Sequence, residues 1–299
     1  MGYHRPVLLQ ESIEGLNIRP GGMYVDLTFG GGGHSREVLK KLGTHGRLLA
    51  FDQDLEAEAN VPDDERIIFI GANFRYLRNF LKYHAIDKVH GILADLGISS
   101  HQINSPERGF SFKSDQALDM RMDLRSETKA SQVLNRYSQE ALADVFRRYG
   151  EVQHAKAIAA AVVRARMEKP LTTTGDLEAA ISKFIPRNHP SKFLARLYQS
   201  LRIEVNHELD ALGEMLLQTA GCMAAGGRLV VITYHSLEDR MVKNYMRSGN
   251  LEGVIGKDFY GNEQTPWRLV NRNVITPSRE ETEQNRRARS AKLRIAERN

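Results

Sequence analysis

Short apolar stretches alternate with mixed, helix-like stretches over the first hundred residues. The helix-like stretches begin near Ser35, Leu55 and Asn73, and Pro62 cuts the second one short. Strands that alternate with helices predict a parallel sheet covered by helices on both faces, with ligands at the carboxyl ends of the strands. The predicted strands are Met23–Phe29, Arg47–Gln53, Ile67–Gly71 and His90–Leu96.

The alternation of strands and helices stops after Ser100. Residues 101–126 are typical of a loop, and residues 127–204 show helical periodicity without strands. Ser138 and Thr174 stand where side chains cap two of these helices. The simplest architecture is an α/β, doubly wound domain of residues 1–103 and 205–299, interrupted by a helical insertion at residues 104–204.

Strand signals return towards the end of the chain. A long helix is predicted from Pro190 towards Ala225, with an interruption near Arg202 and an end at the following glycine pair. A strand is predicted for Arg228–Tyr234. The apolar and polar alternation in the last residues predicts a final strand at an edge of the sheet.

Charge supports a separate insertion. The chain of 299 residues carries a net charge of +5. Residues 127–204 hold 13 Lys and Arg against 8 Asp and Glu, so their surplus equals that of the whole chain. Such a surface fits ordinary solvation or a platform for RNA phosphates, and the composition leaves both readings open.

Cysteine use and hydropathy indicate the compartment. Cys222 is the only cysteine, so an internal disulfide or a thiolate cluster is excluded. Its apolar helical setting predicts a buried core residue. We find no apolar run of membrane-spanning length and no apolar segment of a secretory signal. We therefore expect a cytoplasmic protein without a membrane partner.

A glycine-rich segment carries the strongest chemical signal. The stretch Tyr24–Ser35 ends a predicted strand in an acid and continues with four glycines. Asp52 ends the next strand about 20 residues later, at the spacing at which a carboxylate binds ribose hydroxyls. The dinucleotide fingerprint needs a third glycine where Ser35 or Arg36 stands, so the segment favours S-adenosylmethionine over a nicotinamide dinucleotide.

Polar residues also follow two later strands of the sheet. Asp95 ends the fourth predicted strand and Gln102 follows it, while His235 follows the fifth. The carboxyl ends of parallel strands meet at one edge, so these residues are candidates for one site. Taken alone, Asp95 could be a loop cap and His235 a core histidine.

Seven separate blocks stand in order along the chain: His4–Glu11, Thr28–Ser35, Asp95–Ser100, Glu107–Phe112, Leu118–Asp123, His235–Arg240 and Arg287–Ser290. Together these blocks resemble the bacterial ribosomal RNA small-subunit methyltransferase H family. Two features depart from the family pattern: Arg286 stands where proline is usual, and the helix after Asp52 is short. The resemblance implies a class I, Rossmann-like methyltransferase sheet with a helical insertion after strand four.

The resemblance also implies an activity. The family transfers a methyl group from S-adenosyl-L-methionine to the exocyclic N4 of a cytidine in 16S ribosomal RNA, at the decoding centre. We expect the small ribosomal subunit as partner, RNA recognition by the insertion, and no metal; a homodimer is one option. By resemblance, the cofactor-binding residues are Gly32, Gly33, His34, Asp52, Phe74, Asp95 and Gln102.

Further roles are hypotheses. Asp95, together with nearby backbone carbonyls, is the candidate acceptor for the hydrogens of the target amine, or else Asp95 serves only the cofactor. His235 is the candidate proton acceptor, with water as the alternative. Phe110 and Phe112 would stack on a flipped cytosine or else anchor the insertion. Arg121 would contact phosphate or else join an ion network with Asp119 and Asp123. The rival functions are a nicotinamide-dependent oxidoreductase, a non-catalytic RNA-binding assembly factor, and the same fold acting on DNA or protein amines.

Overall fold

A computed structural model describes residues 6–112 and 114–299. The start of the first sequence block, at His4 and Arg5, lies outside the described residues. The described chain forms two compact units. The first unit contains the described residues up to Gly97 together with Leu209–Asn299, and the second unit is Ile98–Glu208. The predicted domain limits, with an insertion of residues 104–204 in a domain of residues 1–103 and 205–299, stay a prediction.

The first unit is built on a seven-stranded sheet in the order β3-β2-β1-β4-β5-β9-β8. The first five strands run parallel, and β9 is antiparallel to both of its neighbours. This arrangement confirms the predicted Rossmann-like α/β class. The strands are β1 Met23–Asp26, β2 Arg47–Phe51, β3 Ile67–Ile70, β4 Val89–Asp95, β5 Met223–Thr233, β6 Gly256–Lys257, β7 Glu263–Gln264, β8 Trp267–Leu269 and β9 Lys292–Arg298.

The sheet is buried on both faces, as its apolar strands require. Successive side chains of a strand point to opposite faces, so Leu48 and Leu49 of β2 enter different hydrophobic clusters. Val25 of β1 and Ile92 of β4 join the cluster of Leu49. The small hairpin of β6 and β7 forms a separate two-stranded sheet.

Helices cover the sheet and make up the second unit. In the second unit Ser138 accepts a hydrogen bond from the Ala141 N–H at the start of the helix Gln139–Gly150, as predicted, whereas the cap of the helix Thr174–Ile181 is Thr173 rather than Thr174. The helices are α1 Leu9–Gly15, α2 Gly33–Lys41, α3 Leu77–Tyr83, α4 Ser100–Asn104, α5 Ala130–Arg136, α6 Gln139–Gly150, α7 Ala155–Glu168, α8 Thr174–Ile181, α9 Pro190–Asn206, α10 Glu208–Cys222, α11 Ser236–Ser248 and α12 Arg279–Gln284. Short 3-10 helices occupy Leu55–Asn60, Phe74–Tyr76, Pro106–Arg108, Ser182–Phe184 and Arg286–Ser290.

Three boundary predictions were wrong. The long helix breaks at His207, which adopts a left-handed φ of 50°, rather than near Arg202. It ends at Cys222, because the glycine pair belongs to β5, where the pairing with β4 is irregular and Gly226 has a φ of 74°. The last strand, β9, is not an edge strand, because β8 pairs along its outer side. No helix among the described residues has the length and hydropathy needed to cross a bilayer.

Candidate active site

The glycine-rich loop follows β1 and leads directly into α2. Gly30 and Gly32 have positive φ values of 50° and 72°, which side chains disfavour. A Cβ on Gly32 would lie 2.7 Å from the Phe29 ring, and one on Gly33 would lie 2.2 Å from Pro6. The loop therefore needs glycine at these positions, and it presents backbone at the positive end of α2, where anionic groups are favoured.

Asp26 holds the two sides of this loop together. It is 1% exposed, and its carboxylate accepts hydrogen bonds from the Thr28 N–H at 3.1 Å and from the Ser35 hydroxyl at 2.7 Å. Its pKa is raised by burial, although the bond from Ser35 opposes that shift. Asp26 thus joins the end of β1 to the first turn of α2.

Asp52 connects the end of β2 to the same loop. Its Oδ2 accepts a hydrogen bond from the Gly30 N–H at 2.7 Å, and its Oδ1 accepts one from the Asp54 N–H at 2.9 Å. Burial raises its pKa to about 6. A carboxylate has about four lone-pair sites, so two backbone bonds leave acceptor capacity for a pair of hydroxyls.

Phe74 lies in the 3-10 helix after β3, and a side-chain bond ties that segment to the Asp52 segment. Asn73 directly precedes Phe74, and Gln53 directly follows Asp52. The side-chain amide of Asn73 donates a hydrogen bond to the side-chain oxygen of Gln53 at 2.7 Å. Phe74 is partly buried against the apolar cluster on one face of the sheet. The ring and the carboxylate are therefore fixed at neighbouring strand ends.

Asp95 ends β4, and its neighbours hold it in place. Its backbone N–H donates to the Thr28 hydroxyl at 2.6 Å, and its Oδ1 accepts from the Tyr234 hydroxyl at 2.7 Å. Burial raises its pKa to about 7; the Tyr234 bond opposes that shift, and the charges of Asp26 and Glu238 add to it. The pKa of Asp95 therefore lies far above the usual range of an aspartate, near neutral pH.

His34 lies beside Asp95 but forms no ion pair with it at neutral pH. Its Nε2 is 3.2 Å from the Val7 carbonyl, which can only accept, so Nε2 carries the proton. Burial lowers the pKa of His34 to about 4. The ring is therefore neutral, and its Nδ1 stands 3.9 Å from Asp95 Oδ2.

His235 follows β5 and caps α11. Its Nδ1 accepts from the Glu238 N–H at 3.4 Å, while its Nε2 lies 3.1 Å from Glu238 Oε1. Glu238 is 2% exposed and accepts the Tyr234 N–H at 2.9 Å. This geometry favours a structural role for His235, and proton transfer by it stays a prediction.

Sequence reasoning missed Tyr234 and Glu238. Tyr234 ends the predicted fifth strand, and Glu238 lies in the block His235–Arg240. Neither residue was a candidate for the site. The contact of Tyr234 with Asp95 depends on the pairing of Asp95 with Ile232 between β4 and β5, which the pattern does not reveal. The signal available was the hydroxyl beside His235.

The remaining predicted residues lie in the second unit. Gln102 is 4% exposed and closes a capping box at the start of α4, where its N–H donates to Ser99 at 3.1 Å. Phe110 belongs to the unit's core, and Phe112 packs against that core with its ring 5.4 Å from Tyr198. Arg121 is engaged with Asp119 through Nε at 2.8 Å and Nη2 at 2.9 Å.

Arg121 has further partners within the second unit. Its Nη1 donates to the carbonyls of Leu124 at 2.9 Å and Ser126 at 2.7 Å. These bonds favour the ion-network reading of Arg121 over a phosphate contact. Its contact with RNA, like the stacking roles of Phe110 and Phe112, stays a prediction.

The first unit's residues fit S-adenosylmethionine. The tight glycine loop at the start of α2 suits the amino-acid end of the molecule, whose carboxylate is favoured there. Asp52 retains acceptor capacity beyond its two backbone bonds, and Phe74 is an aromatic ring at the neighbouring strand end. Their contacts with the ribose and the adenine stay predictions. Asp95 stands on the same edge of the sheet, directly after the buried Ala94 of β4.

Comparisons with known proteins agree with this fit. The family model described as the MraW methylase family matches residues 1–299. The chain is 55% identical over 296 residues to ribosomal RNA small subunit methyltransferase H of Parabacteroides distasonis, covering 99% of this chain and 97% of the relative. It is 52% identical over 298 residues to the protein of that name from Cytophaga hutchinsonii, covering 99% of both.

Solved structures resemble the chain more distantly. A putative rRNA-methylase from Clostridium thermocellum is 13% identical, with a TM-score of 0.42, over 98% of each chain. That likeness is too slight to support a conclusion about function.

Proposed function

Because this chain belongs to the MraW methylase family and is thus a ribosomal RNA methyltransferase that uses S-adenosyl-L-methionine, we propose that it methylates the exocyclic N4 of a cytidine. The proposed substrate is 16S ribosomal RNA in the small subunit, at the decoding centre. The observation that supports this most is the carboxylate of Asp95, which Thr28 and Tyr234 hold at the strand edge shared with the glycine loop.

An amine target fits the chemistry of Asp95. The N4 lone pair of cytosine is delocalised into the ring, so the reaction needs the amine turned and aligned at roughly 3–3.5 Å from the methyl carbon. Asp95, as a carboxylate, accepts an N4 hydrogen, stabilises the growing positive charge and takes the released proton. The cofactor, when bound, supplies an electrophilic methyl group on a sulfonium.

Methylation of a cytosine ring carbon fits less well. That reaction requires a nucleophile to add to the ring, and cysteine thiolate is the usual choice. Cys222 is 4% exposed and precedes Met223, which pairs with Val89 at the start of β4, whereas Asp95 ends that strand. Burial also raises the pKa of the Cys222 thiol. The only thiol therefore lies at the wrong edge of the sheet.

We assign RNA recognition to the helical insertion, proposed as residues 104–204. The target base would leave its stack to reach the pocket, with Phe110, Phe112 and Arg121 as candidate contacts. Most of the insertion's cations are exposed, as RNA phosphates require; Arg166 instead donates to the carbonyls of Leu134 and Tyr137. Among the described residues of the insertion, the exposed cations are Arg125, Arg136, Arg147, Arg148, Lys156, Arg164, Lys169, Lys183, Arg187, Lys192 and Arg196.

The test uses small ribosomal subunits from cells that lack the gene. Wild-type protein with methyl-labelled cofactor should produce N4-methylcytidine, identified by mass spectrometry of digested 16S RNA. Asp95→Asn should lower kcat by about 10²–10⁴-fold, and His235→Ala should lower it less. Label in 5-methylcytidine, or a full-rate Asp95→Asn enzyme, would overturn the assignment.

Controls separate the rival functions. Equilibrium binding of labelled S-adenosylmethionine against NAD tests the oxidoreductase, which requires the dinucleotide to bind more tightly. A non-catalytic assembly factor would transfer no label with either wild-type or Gly32→Val protein. Methylation of DNA or protein at a higher kcat/KM than that of small subunits would favour the third rival, a methyltransferase of DNA or protein amines.

A further inference from the structure

A pocket in the first unit lies between α11 and the outer strands of the sheet. Its cations are Lys243 and Arg247 from α11, together with Arg272 and Arg294. Leu269 and Ile295 supply apolar lining. Strand β8 lies three strands from β4, or roughly 14 Å at about 4.8 Å a strand. The pocket is therefore distinct from the site around Asp95.

The charge of the pocket favours an anion. None of the described residues that line it is acidic. Arg294 is already bound to Asp239, with Nε 2.7 Å from Oδ1. Lys243, Arg247 and Arg272 are exposed, and the first two stand one helical turn apart on the same face of α11. Three cations thus face one cavity from two segments of the chain.

The side chain of Asn271 indicates which kind of anion fits the pocket. Its Oδ1 is buried without a hydrogen-bond partner among the described residues, while its Nδ2 donates to the Asn273 carbonyl. A buried acceptor left without a donor costs about 1–3 kcal/mol. A ligand that brings a hydroxyl donor next to a phosphate would satisfy both Asn271 and the cations. The ribose of RNA carries such a donor, its 2′-hydroxyl, and DNA does not.

We propose that this pocket binds one nucleotide of the ribosomal RNA substrate. Its phosphate lies against Lys243, Arg247 and Arg272, and its 2′-hydroxyl donates to Asn271. The inference rests on the proposed function, since it needs an RNA substrate. A second copy of the chain is a poorer occupant, because a two-fold contact of this surface with itself would bring like charges together.

The first experiment measures methylation of small subunits as a function of salt. Lys243→Gln/Arg247→Gln should raise KM for the subunit about 10-fold, leave kcat and cofactor affinity unchanged, and reduce the slope of log KM against log salt by about two. Arg78→Gln/Lys82→Gln is the matched control, since it removes two exposed cations one turn apart on α3. The control should leave KM and the slope unchanged.

The second experiment tests the ribose contact. Binding of a labelled 16S RNA fragment and of the DNA of the same sequence is compared for wild type and Asn271→Ala. The substitution should weaken RNA binding by about 5-fold or more and leave DNA binding unchanged. Equal losses for both nucleic acids, or none, would overturn the ribose assignment.

The outcomes distinguish this inference from the function it rests on. A wild-type enzyme that makes no N4-methylcytidine refutes the proposed function. A wild-type enzyme that makes it, with unchanged KM and salt slope in Lys243→Gln/Arg247→Gln, refutes only the pocket. Loss of self-association in that variant with KM unchanged would assign the surface to a second copy and also refute the inference.

Discussion

At the scale of single residues, the ionisation of Asp95 should control the reaction. The Tyr234 hydroxyl and the His34 ring lie beside its carboxylate, the charges of Asp26 and Glu238 act on it, and His34 is neutral at pH 7. Only the ionised form can accept the amine proton, and its pKa is about 7. The rate should therefore rise with pH through 7 and level off above it. The pH profile of kcat with small subunits as substrate checks this.

Tyr234 should set the pH at which the rate rises. Its hydroxyl bond favours the charged form of Asp95, so Tyr234→Phe should raise the carboxyl pKa and move the rising limb to higher pH. The rate at high pH should stay close to that of wild type, because Asp95 remains anchored to Thr28. A lower plateau without a shift would mean that Tyr234 only supports packing.

The ionised carboxylate of Asp95 should lower the stability of the fold. The folded-state pKa of Asp95 lies above the usual value for an unfolded chain, so folding favours the protonated form. Stability contributed by that form is present at low pH and lost as pH rises towards about 7. Asp95→Asn should therefore raise the free energy of unfolding by roughly 1–3 kcal/mol at pH 8.

Chemical denaturation of the free protein at two pH values checks this stability effect. The gain from Asp95→Asn should be small at pH 5 and large at pH 8, while activity is lost at both. A gain that is equal at the two pH values would show that the substitution acts through packing rather than through charge.

Prediction from sequence worked best where residues follow strands. Asp52 and Asp95 were placed at strand ends from apolar patterns alone, and both hold backbone or side-chain bonds there. Tyr234 and Glu238 were missed because their contacts depend on the register of β4 with β5 and on the capping of α11. Those features follow from tertiary packing, which periodicity along the chain does not encode.

At the scale of elements, the turn between β1 and α2 should tolerate no side chain at position 32. Gly32→Val places a branched residue at a φ of 72°, with its Cβ 2.7 Å from Phe29. The substitution should cost about 1–3 kcal/mol of stability and abolish measurable cofactor binding, because the loop must shift. Isothermal titration with S-adenosylmethionine, with thermal unfolding alongside, measures both.

Gly21→Ala is the matched control for the loop. Gly21 precedes β1, has no atom within 4 Å of a built Cβ, and does not have a positive φ. The Gly21→Ala protein should bind the cofactor with the affinity of wild type and unfold at the same temperature or at a slightly higher one. Unimpaired binding by Gly32→Val would show that the loop does not hold the cofactor.

Element boundaries were the weaker part of the sequence prediction. The glycine pair before the predicted fifth strand was interpreted as the end of a helix. In the structure Gly226 lies within β5, where the pairing with β4 is irregular, and it has a positive φ. Glycine permits both a helix end and a bulge, so sequence alone cannot choose between them. Likewise β9 alternates as an edge strand does, and only the pairing of the short β8 places it inside the sheet.

At the scale of the whole molecule, much of the basic charge lies in a different part of the chain from the groups that fit the cofactor. The groups that fit the cofactor lie in the first unit, whereas the net charge of the chain is matched by the surplus in residues 127–204. Phosphate contacts position a protein on RNA and contribute salt-dependent affinity without changing the chemical step. Removing cations from the insertion should therefore affect KM and leave kcat alone.

Lys192 and Arg196 offer the sharpest test of that division, because both are exposed and stand one turn apart on α9. Lys192→Gln/Arg196→Gln should raise KM for small subunits about 10-fold at physiological salt and flatten its salt dependence by about two. Cofactor affinity should not change. The Arg78→Gln/Lys82→Gln protein carries the same charge loss on α3 and should behave like wild type. Equal effects in both proteins would mean that overall charge, and not the insertion, draws the enzyme to its RNA.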